Sequence, residues 1–215
     1  MSVKVRKHKG TYRYLAVGLL ILLFSISMTV SAFGGQFEDA TAAYERGDYA
    51  TAFRLMKPLA EKGDAKAQHN LGVMYDYGRG VPQDYTKALK WYRMAAEHGI
   101  PEAQHNLGLM YYQGQGVPQN YAEAAKWYRR AAEQGMADSQ VNLGIMYYQG
   151  QGVSRDYVLA HMWLDLAASQ YPASVRENLN DAVHYKDIVN SLMTPAQIAE
   201  AQRLARQWKP KKEGK

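Results

Sequence analysis

Apolar side chains recur with helical spacing between residues 37 and 208. In the stretch that Gly78 ends, four of them fall at i, i+4, i+7 and i+8 and so share one face of a predicted helix: Ala67, Leu71, Met74 and Tyr75. Asp84 is a suitable N-cap for a second helix, which is predicted to bury Ala88, Trp91, Tyr92 and Ala95. Two glycines and a proline lie between them, as is typical of a turn. The pattern predicts an antiparallel helix pair.

The same pattern recurs at a spacing of 36 residues. Equivalent landmarks are the glycines Gly72, Gly108 and Gly144 and the tryptophans Trp91, Trp127 and Trp163. A glycine inside a helix costs about 1 kcal/mol relative to alanine, so its recurrence indicates that neighbouring helices approach closely. One helix pair cannot bury its apolar face alone, whereas stacked pairs bury a continuous core. We therefore predict an all-α protein, an α-solenoid of stacked antiparallel helix pairs.

A single solenoid domain is predicted over residues 33–208. It comprises a short amino-terminal repeat at 37–59, full repeats at 60–95, 96–131 and 132–170, and a carboxyl-terminal cap at 173–208. In the cap, Leu179 is expected on the buried face of a first helix, and Asn180 replaces the helical glycine. A capping box from Thr194 to Gln197 predicts a last helix. Its apolar stripe is expected to cover the end of the stack: Ile198, Ala201, Leu204, Ala205 and Trp208. Residues 209–215 form a basic tail that we expect to fray.

The first 32 residues are typical of a secretory signal peptide. Five basic residues precede an uncharged apolar run at 15–30, and small residues follow it. We expect cleavage near Phe33 and export to the periplasm or beyond the cell. The alternative is an inner-membrane anchor formed by residues 15–30, although this run falls short of the roughly 20 residues that a spanning helix needs.

Composition narrows the candidate functions. The net charge of +6 comes mostly from the amino terminus, because residues 33–215 carry 21 basic and 20 acidic side chains. A near-neutral body is not a footprint for a phosphate backbone, so we expect no nucleic-acid partner. There is no cysteine, which excludes disulfides, thiolate metal sites and a cysteine nucleophile. A membrane contact is expected only if the amino-terminal segment stays uncleaved.

Three motifs taken together resemble one known family. They are the helix pattern A-x-x-x-L-G-x-x-Y, the loop G-x-G-V-P, and the helix pattern Y-x-x-A-x-x-W-Y-x-x-A-A-x-x-G. This combination resembles the Sel-one-like repeat (SLR) family of tetratricopeptide-like solenoids over about residues 60–170. The resemblance implies a right-handed superhelix that binds proteins or peptides, often in a bacterial envelope or secreted. Some cysteine-rich relatives have been described as binding or hydrolysing β-lactams, and this chain departs from them because it has no cysteine.

The sequence contains little that indicates chemistry. None of the common motifs of serine hydrolases, β-lactamases or zinc proteases occurs. The glycine loops lack the pattern of a phosphate-binding loop and follow a helix, so they indicate turns. His69 and His105 occupy equivalent positions, about 8–10 Å apart at helix-packing distance, which is too far to share a metal. We expect them to be solvated or to line a groove, and we predict no metal site and no cofactor.

The first helix of each repeat should line the concave side of the solenoid. The stripe opposite its core face is our candidate site for a protein or peptide partner, and we call it the concave stripe. It comprises Lys66, His69, Val73, Asp76, Glu102, His105, Leu109, Tyr112, Gln113, Asp138, Val141, Ile145, Tyr148 and Gln149. The alternative is that these side chains are ordinary surface, since apolar atoms cover much of every protein.

Two classes of function remain open at this point. The first is a non-enzymatic scaffold or adaptor of the cell envelope or the secreted fraction, which holds a partner in the concave groove. The second is an envelope hydrolase that acts on a peptidoglycan or β-lactam amide. The sequence favours the first because it offers no recognisable nucleophile or base for the second.

Overall fold

The computed structural model describes residues 35–171 and 176–211. These residues form helices joined by short turns, without a β-strand in either described range. The first helix, α1, covers residues 35–45. The others are α2 (Tyr49–Glu61), α3 (Ala65–Tyr77), α4 (Tyr85–Glu97), α5 (Pro101–Gln113), α6 (Tyr121–Glu133), α7 (Ala137–Gln149), α8 (Tyr157–Gln170), α9 (Arg176–Ser191) and α10 (Pro195–Gln207).

The helices confirm the predicted right-handed solenoid of helix pairs. Each of α3, α5 and α7 packs against the helix that follows it and against the second helix of the preceding unit. These first helices begin at residues 65, 101 and 137 and therefore keep the spacing of 36. The predicted repeats begin at residues 60, 96 and 132, each of which lies in the last turn of the preceding second helix. As helix pairs, the repeats start five residues later.

The ends of the helices follow from their capping residues. Asp84, Asn120 and Asp156 each accept a hydrogen bond from the backbone N–H three residues further on, at 2.9, 3.1 and 2.9 Å. Such bonds satisfy one of the orphan donors at a helix start. The capping box between Thr194 and Gln197 is also present. The short sequence motifs therefore place the starts of the second helices and of α10.

The helical glycines lie where two helices touch. A Cβ atom added to Gly108 would come within 2.8 Å of the Tyr128 ring, a separation that real Cβ atoms do not reach. Gly72 faces Tyr92 in the same way, at 2.6 Å. In the third full repeat the contact is with the side chain of Leu164. This confirms that the recurring glycine allows close packing within each helix pair.

The second glycine of each loop contacts the repeat before it. Gly116 has a positive φ of 68°, and a Cβ there would lie 2.6 Å from the backbone of Tyr85, at the start of α4. Gly80 and Gly152 meet the starts of α2 and α6 in the same way. Each loop therefore packs on the first turn of the preceding second helix, and a side chain at this glycine would separate the two.

Buried glutamines connect the other end of each junction. Gln104 is fully buried, and its Nε2 donates to the carbonyl of Ala96 at 3.1 Å. Its Oε1 accepts from Nε2 of Gln134 at 2.8 Å. The next repeat has the same arrangement at Gln140, which bonds Ala132 and Gln170. The glutamine side chains thus satisfy one another's hydrogen-bonding groups, and they also join successive repeats.

The first full repeat lacks one of these bonds. Gln68 is buried and donates to the carbonyl of Ala60 at 3.2 Å, but its Oε1 has no partner among the described residues. The position that Gln134 and Gln170 hold in later repeats is here His98, which is exposed. A buried acceptor without a donor costs free energy.

The carboxyl-terminal helices do not continue the repeat. Both α9 and α10 pack against α8. In α9 the fully buried side chains are Ala182 and Val189. Leu179, which we predicted on the buried face, is half-buried, and Asn180 is exposed. Ala182 is 36 residues after the buried Met146, so α9 keeps the phase of the repeat there. Leu179 and Asn180 lose burial because α10 packs mainly on α8 rather than on that face of α9.

The last helix covers the end of the stack as predicted. Ala201 is fully buried, and the remaining apolar residues of the stripe are half-buried against the core. The ring of Trp208 meets the ring of Trp163 edge-on, with centroids 6.3 Å apart. Residues 209–211 do not fray as we expected. The N–H of Lys211 donates to the carbonyl of Glu133 at 2.8 Å, and its Nζ lies 3.1 Å from the same glutamate's Oε2.

Within residues 35–171 and 176–211, every helix is too short or too polar to span a membrane. The predicted signal peptide at 1–32 and the alternative anchor at 15–30 lie outside the described residues, as do residues 212–215 of the predicted tail.

Candidate functional site

The concave stripe forms a row across α3, α5 and α7. Its exposed members are Lys66, Glu102, Gln113 and Gln149. Nine members are half-buried: His69, Val73, Asp76, His105, Leu109, Tyr112, Asp138, Ile145 and Tyr148. Val141 is only 8% exposed, so the expectation of an exposed side chain there is wrong, although Val141 does line the pocket described below. Helix α9 packs beside α7, and its Asn178 and Asp181 line the same pocket.

The two equivalent histidines join neighbouring first helices. His69 Nε2 lies 3.3 Å from Nδ2 of Asn106, and His105 Nδ1 lies 2.8 Å from Oγ of Ser139. Each imidazole also packs near the tyrosine ring of its own repeat. Burial lowers the pKa of both histidines below the ordinary value. They are therefore neutral, bonded parts of the packing. We expected them to be solvated or to line a groove, and His105 does line the acidic pocket described below, whereas His69 lines neither pocket.

The charged end of α3 is also bonded internally. The hydroxyl of Tyr92 donates to Oδ2 of Asp76 at 3.1 Å. Burial raises the pKa of the Asp76 carboxyl above its usual range. Burial together with the nearby Asp76 carboxylate raises the pKa of the Tyr92 phenol as well. This part of the stripe holds the repeat together and leaves little free for a ligand.

Ser139 and His105 bring a hydroxyl within hydrogen-bond distance of an imidazole, as nucleophile and base do in hydrolases. Ser139 has no exposed surface, so a substrate could not reach its Oγ. The carboxylate of Asp138 bonds to Tyr171 and Asn178. The described contact therefore links α5 to α7, and this geometry gives a hydrolase no support.

An acidic pocket lies between α5, α7 and α9. It has a volume of about 230 Å³ and is lined by His105, Asp138, Val141, Asn142, Tyr171, Asn178 and Asp181. Oδ1 of Asp138 accepts from the Tyr171 hydroxyl at 2.6 Å and from Asn178 Nδ2 at 3.0 Å. Among the side chains that the structure describes, no lysine or arginine lines the pocket. Its two carboxylates thus face one small space without a described cation beside them.

An aromatic pocket lies next to it on the same face. Its volume is about 220 Å³, and its lining residues are Leu109, Tyr112, Gln113, Tyr128, Asn142, Ile145, Met146, Gln149 and Tyr185. The Tyr112 hydroxyl donates to Oε1 of Gln151 at 3.3 Å, and its ring stands edge-on to Tyr121. Asn142 lines both pockets. Together they form one groove with a polar end and an apolar end.

The structure brings together eight of the fourteen predicted site residues. The acidic pocket contains three of them, and the aromatic pocket contains Leu109, Tyr112, Gln113, Ile145 and Gln149. Tyr148 lies outside both, near the rings of Tyr157 and Tyr185. Lys66 lines a different cleft, of about 780 Å³, at the amino-terminal end. The remaining predicted members are also outside the two pockets: His69, Val73, Asp76 and Glu102.

Several pocket residues were missed by the sequence analysis. Asn142 was detectable, because asparagine recurs at 70, 106 and 142 on the face next to the stripe. Ser139, the partner of His105, stands where the other repeats have Ala67 and Ala103, so no serine recurs there. Asn178 continues the asparagine series, and Asp181 and Tyr185 are 36 residues after Ile145 and Gln149, so the same spacing extended into α9 would have placed all three near the stripe. Within the described ranges, no cluster of three or more histidine and acidic side chains could hold a metal ion.

Comparison with known proteins gives consistent matches along the solenoid. The family described as "Sel1 repeat" matches residues 36–64, 65–100, 101–136 and 137–171. One solved structure is a protective antigen of uropathogenic Escherichia coli strains that displays an SLR fold. It is 36% identical to this chain, with a TM-score of 0.72, and the match covers 85% of this chain and 38% of that one. A solved Sel1 repeat protein from Oxalobacter formigenes is 30% identical, with a TM-score of 0.62, over 79% of this chain and 74% of that one.

Two curated proteins match over a shorter stretch. The DAP3-binding cell death enhancer 1 of rat and that of mouse are each 41% identical to this chain over 44 residues. This stretch is 20% of the chain and 9% of either relative's length. The match thus concerns a small part of those proteins.

Proposed function

The chain belongs to the Sel1 repeat family, whose members are generally non-enzymatic protein-interaction scaffolds, and from that premise we propose that it binds a partner protein or peptide along the concave stripe. The observation that carries the proposal is the groove made by the acidic and aromatic pockets. Its lining combines apolar side chains with amide and carboxylate groups, which is typical of a surface that recognises a polypeptide.

The rodent relatives support a binding role in one respect. They are named for binding another protein, but they match this chain over a small part of their length. The identity of their partner is therefore not transferred. What we propose for this chain is the kind of function, a scaffold without catalysis, with the groove as its binding surface.

The groove can be tested by comparing captured partners. The full chain and two variants are used as bait in the source cell's envelope fraction, and captured proteins are quantified by mass spectrometry. The variant Tyr112→Ala/Ile145→Ala removes two walls of the aromatic pocket. Tyr77→Ala is the matched control, because Tyr77 is 64% exposed and lies outside both pockets. We expect at least one partner to be lost about tenfold or more with the first variant alone, since central aromatic contacts are common hot spots. Equal capture by all three baits would contradict the proposal.

We further propose that the scaffold works outside the cytoplasm, in the periplasm or secreted, after removal of residues 1–32. The support is the order of basic, apolar and small residues at the amino terminus. Mass spectrometry of the protein recovered from the envelope fraction should find an amino terminus near Phe33. An intact Met1 on a protein that co-purifies with the inner membrane would favour the anchor at 15–30 instead.

A further inference from the structure

We infer that the acidic and aromatic pockets bind an extended partner segment in which a basic side chain lies two or three residues from an apolar or aromatic one. This inference rests on the proposed function of the concave stripe and specifies the chemistry of its partner. Three features of the groove carry it: the charge of one pocket, the distance between the two, and the amide that they share.

The acidic pocket is complementary to a cation. Asp138 and Asp181 line it, and neither forms an ion pair with a lysine or arginine in the described ranges. Of the two bonds that hold Asp138, both end on Oδ1, and the donors are neutral. The second carboxylate oxygen is therefore available to a ligand. A guanidinium or ammonium group would supply the missing positive charge through charge-assisted hydrogen bonds.

The histidine in this pocket does not supply that charge. Burial lowers the pKa of His105, so its imidazole is neutral at physiological pH. The nearest lysine on α9, Lys186, lies 3.0 Å from Asp165 of α8 and does not line the pocket. Among the described side chains, no cation thus balances the charge of the two carboxylates.

The distance between the pockets sets the spacing of the partner's side chains. Asp138 marks the acidic pocket and Ile145 the aromatic pocket, both on α7. Seven residues of α-helix span about 10 Å. An extended chain advances about 3.3 Å per residue, so side chains three apart match this distance. Since arginine and lysine are long, a separation of two residues is reached as well.

Asn142 lies between the two pockets and lines both. Its side chain lies close to the Tyr128 phenol. A side-chain amide offers two donor hydrogens and an acceptor oxygen, so it can also bond the backbone of a segment that runs from one pocket to the other. An extended backbone presents such groups because it forms no internal hydrogen bonds of its own.

A peptide selection on the full chain tests the inference. Random decapeptides are displayed and selected for binding, and the enriched sequences are read. We expect enrichment of arginine or lysine two or three residues from leucine, phenylalanine or tyrosine. Enrichment of a different pattern would overturn the inference and leave the scaffold proposal intact. Selection of nothing, together with equal capture by all baits in the previous experiment, would overturn both.

Matched variants then assign the charge preference to the acidic pocket. The probe is a labelled decapeptide of glycine, serine and alanine with one arginine two residues before one phenylalanine. Asp138→Asn keeps an acceptor oxygen for Tyr171 and removes the charge, and we expect it to weaken binding at least about tenfold. Glu97→Gln removes an exposed carboxylate at the end of α4, outside the stripe and both pockets, and should change binding less than about twofold. Equal effects of the two variants would show that general charge, rather than the pocket, attracts the probe.

Discussion

The full repeats and the closing helices are built from similar amphipathic sequences, yet they pack by different rules. In the repeats, the close contact of a helical glycine with the following second helix recurs after 36 positions, as at Gly108 against Tyr128. In α9, the position equivalent to Gly144 is the exposed Asn180, although Ala182 is buried like its equivalent Met146. The difference teaches that periodicity predicts the burial of a helix face only where a second helix packs on that face.

The largest expected effect on stability comes from replacing a tryptophan of the repeats, compared with one at the closing helix. Trp127 in α6 is 6% exposed, whereas Trp208 at the end of α10 is half-buried. Trp127→Ala should lower the free energy of unfolding by about 3–5 kcal/mol, through lost burial and a cavity. Trp208→Ala should cost about 2 kcal/mol or less. Urea unfolding followed by circular dichroism measures both. Equal losses would mean that the closing helix contributes as much to the core as a repeat does.

The helical glycine gives the next largest contrast. Gly108→Ala places a methyl group against the Tyr128 ring, and we expect a loss of about 1–3 kcal/mol from overpacking. Asn180→Ala changes the equivalent position in α9, where the side chain is exposed, and should be neutral or slightly stabilising because alanine favours helices. Thermal unfolding of both variants checks the comparison. A destabilised Asn180→Ala would indicate that this face of α9 is packed after all.

A pH titration of stability should reveal the buried histidines of both regions. Burial lowers the pKa of His69 and His105 in the repeats and of His161 facing α9. In the unfolded chain a histidine takes up a proton near pH 6.5, whereas these folded histidines do so only at lower pH. The free energy of unfolding should therefore fall as the pH drops below about 6.5. His105→Gln should make this fall shallower. An unchanged slope would contradict the burial of His105.

The smallest effect concerns the missing glutamine bond. His98→Gln would give Gln68 the partner that Gln134 gives Gln104, and we expect a gain of about 1 kcal/mol. His98→Ala removes the imidazole without adding an amide, and should change stability by no more than about 0.5 kcal/mol. Differential scanning calorimetry compares the three proteins. If both variants behaved alike, the orphan oxygen of Gln68 would not be satisfied by this position.

Much of the fold could be predicted because its rules are local. Asp84 caps a helix, Gly78 ends one with a positive φ, and Gly108 marks a close approach, and each could be identified from a few neighbouring residues. The loss of burial at Leu179 and Asn180 could not, since it depends on where α10 packs.

The site was predicted less completely than the fold. Helical spacing placed Leu109, Tyr112 and Ile145 on the right face. It could not show that Val141 is covered, or that Asp181 joins Asp138 in one pocket, because α9 supplies both effects. A binding surface formed by both the repeats and α9 is therefore only partly predictable from the sequence.

The paired contacts at each junction have a mechanical consequence. The unit that follows α4 contacts this helix at two points. Gly116 lies against Tyr85, the first residue of α4, and Gln104 bonds Ala96 near the carboxyl-terminal end of α4. At 1.5 Å per residue, these points are about 16 Å apart. Rotating one unit about either contact would break the other contact, so each junction opposes bending. We therefore expect the solenoid to be stiff and its groove to present a partner with a constant width.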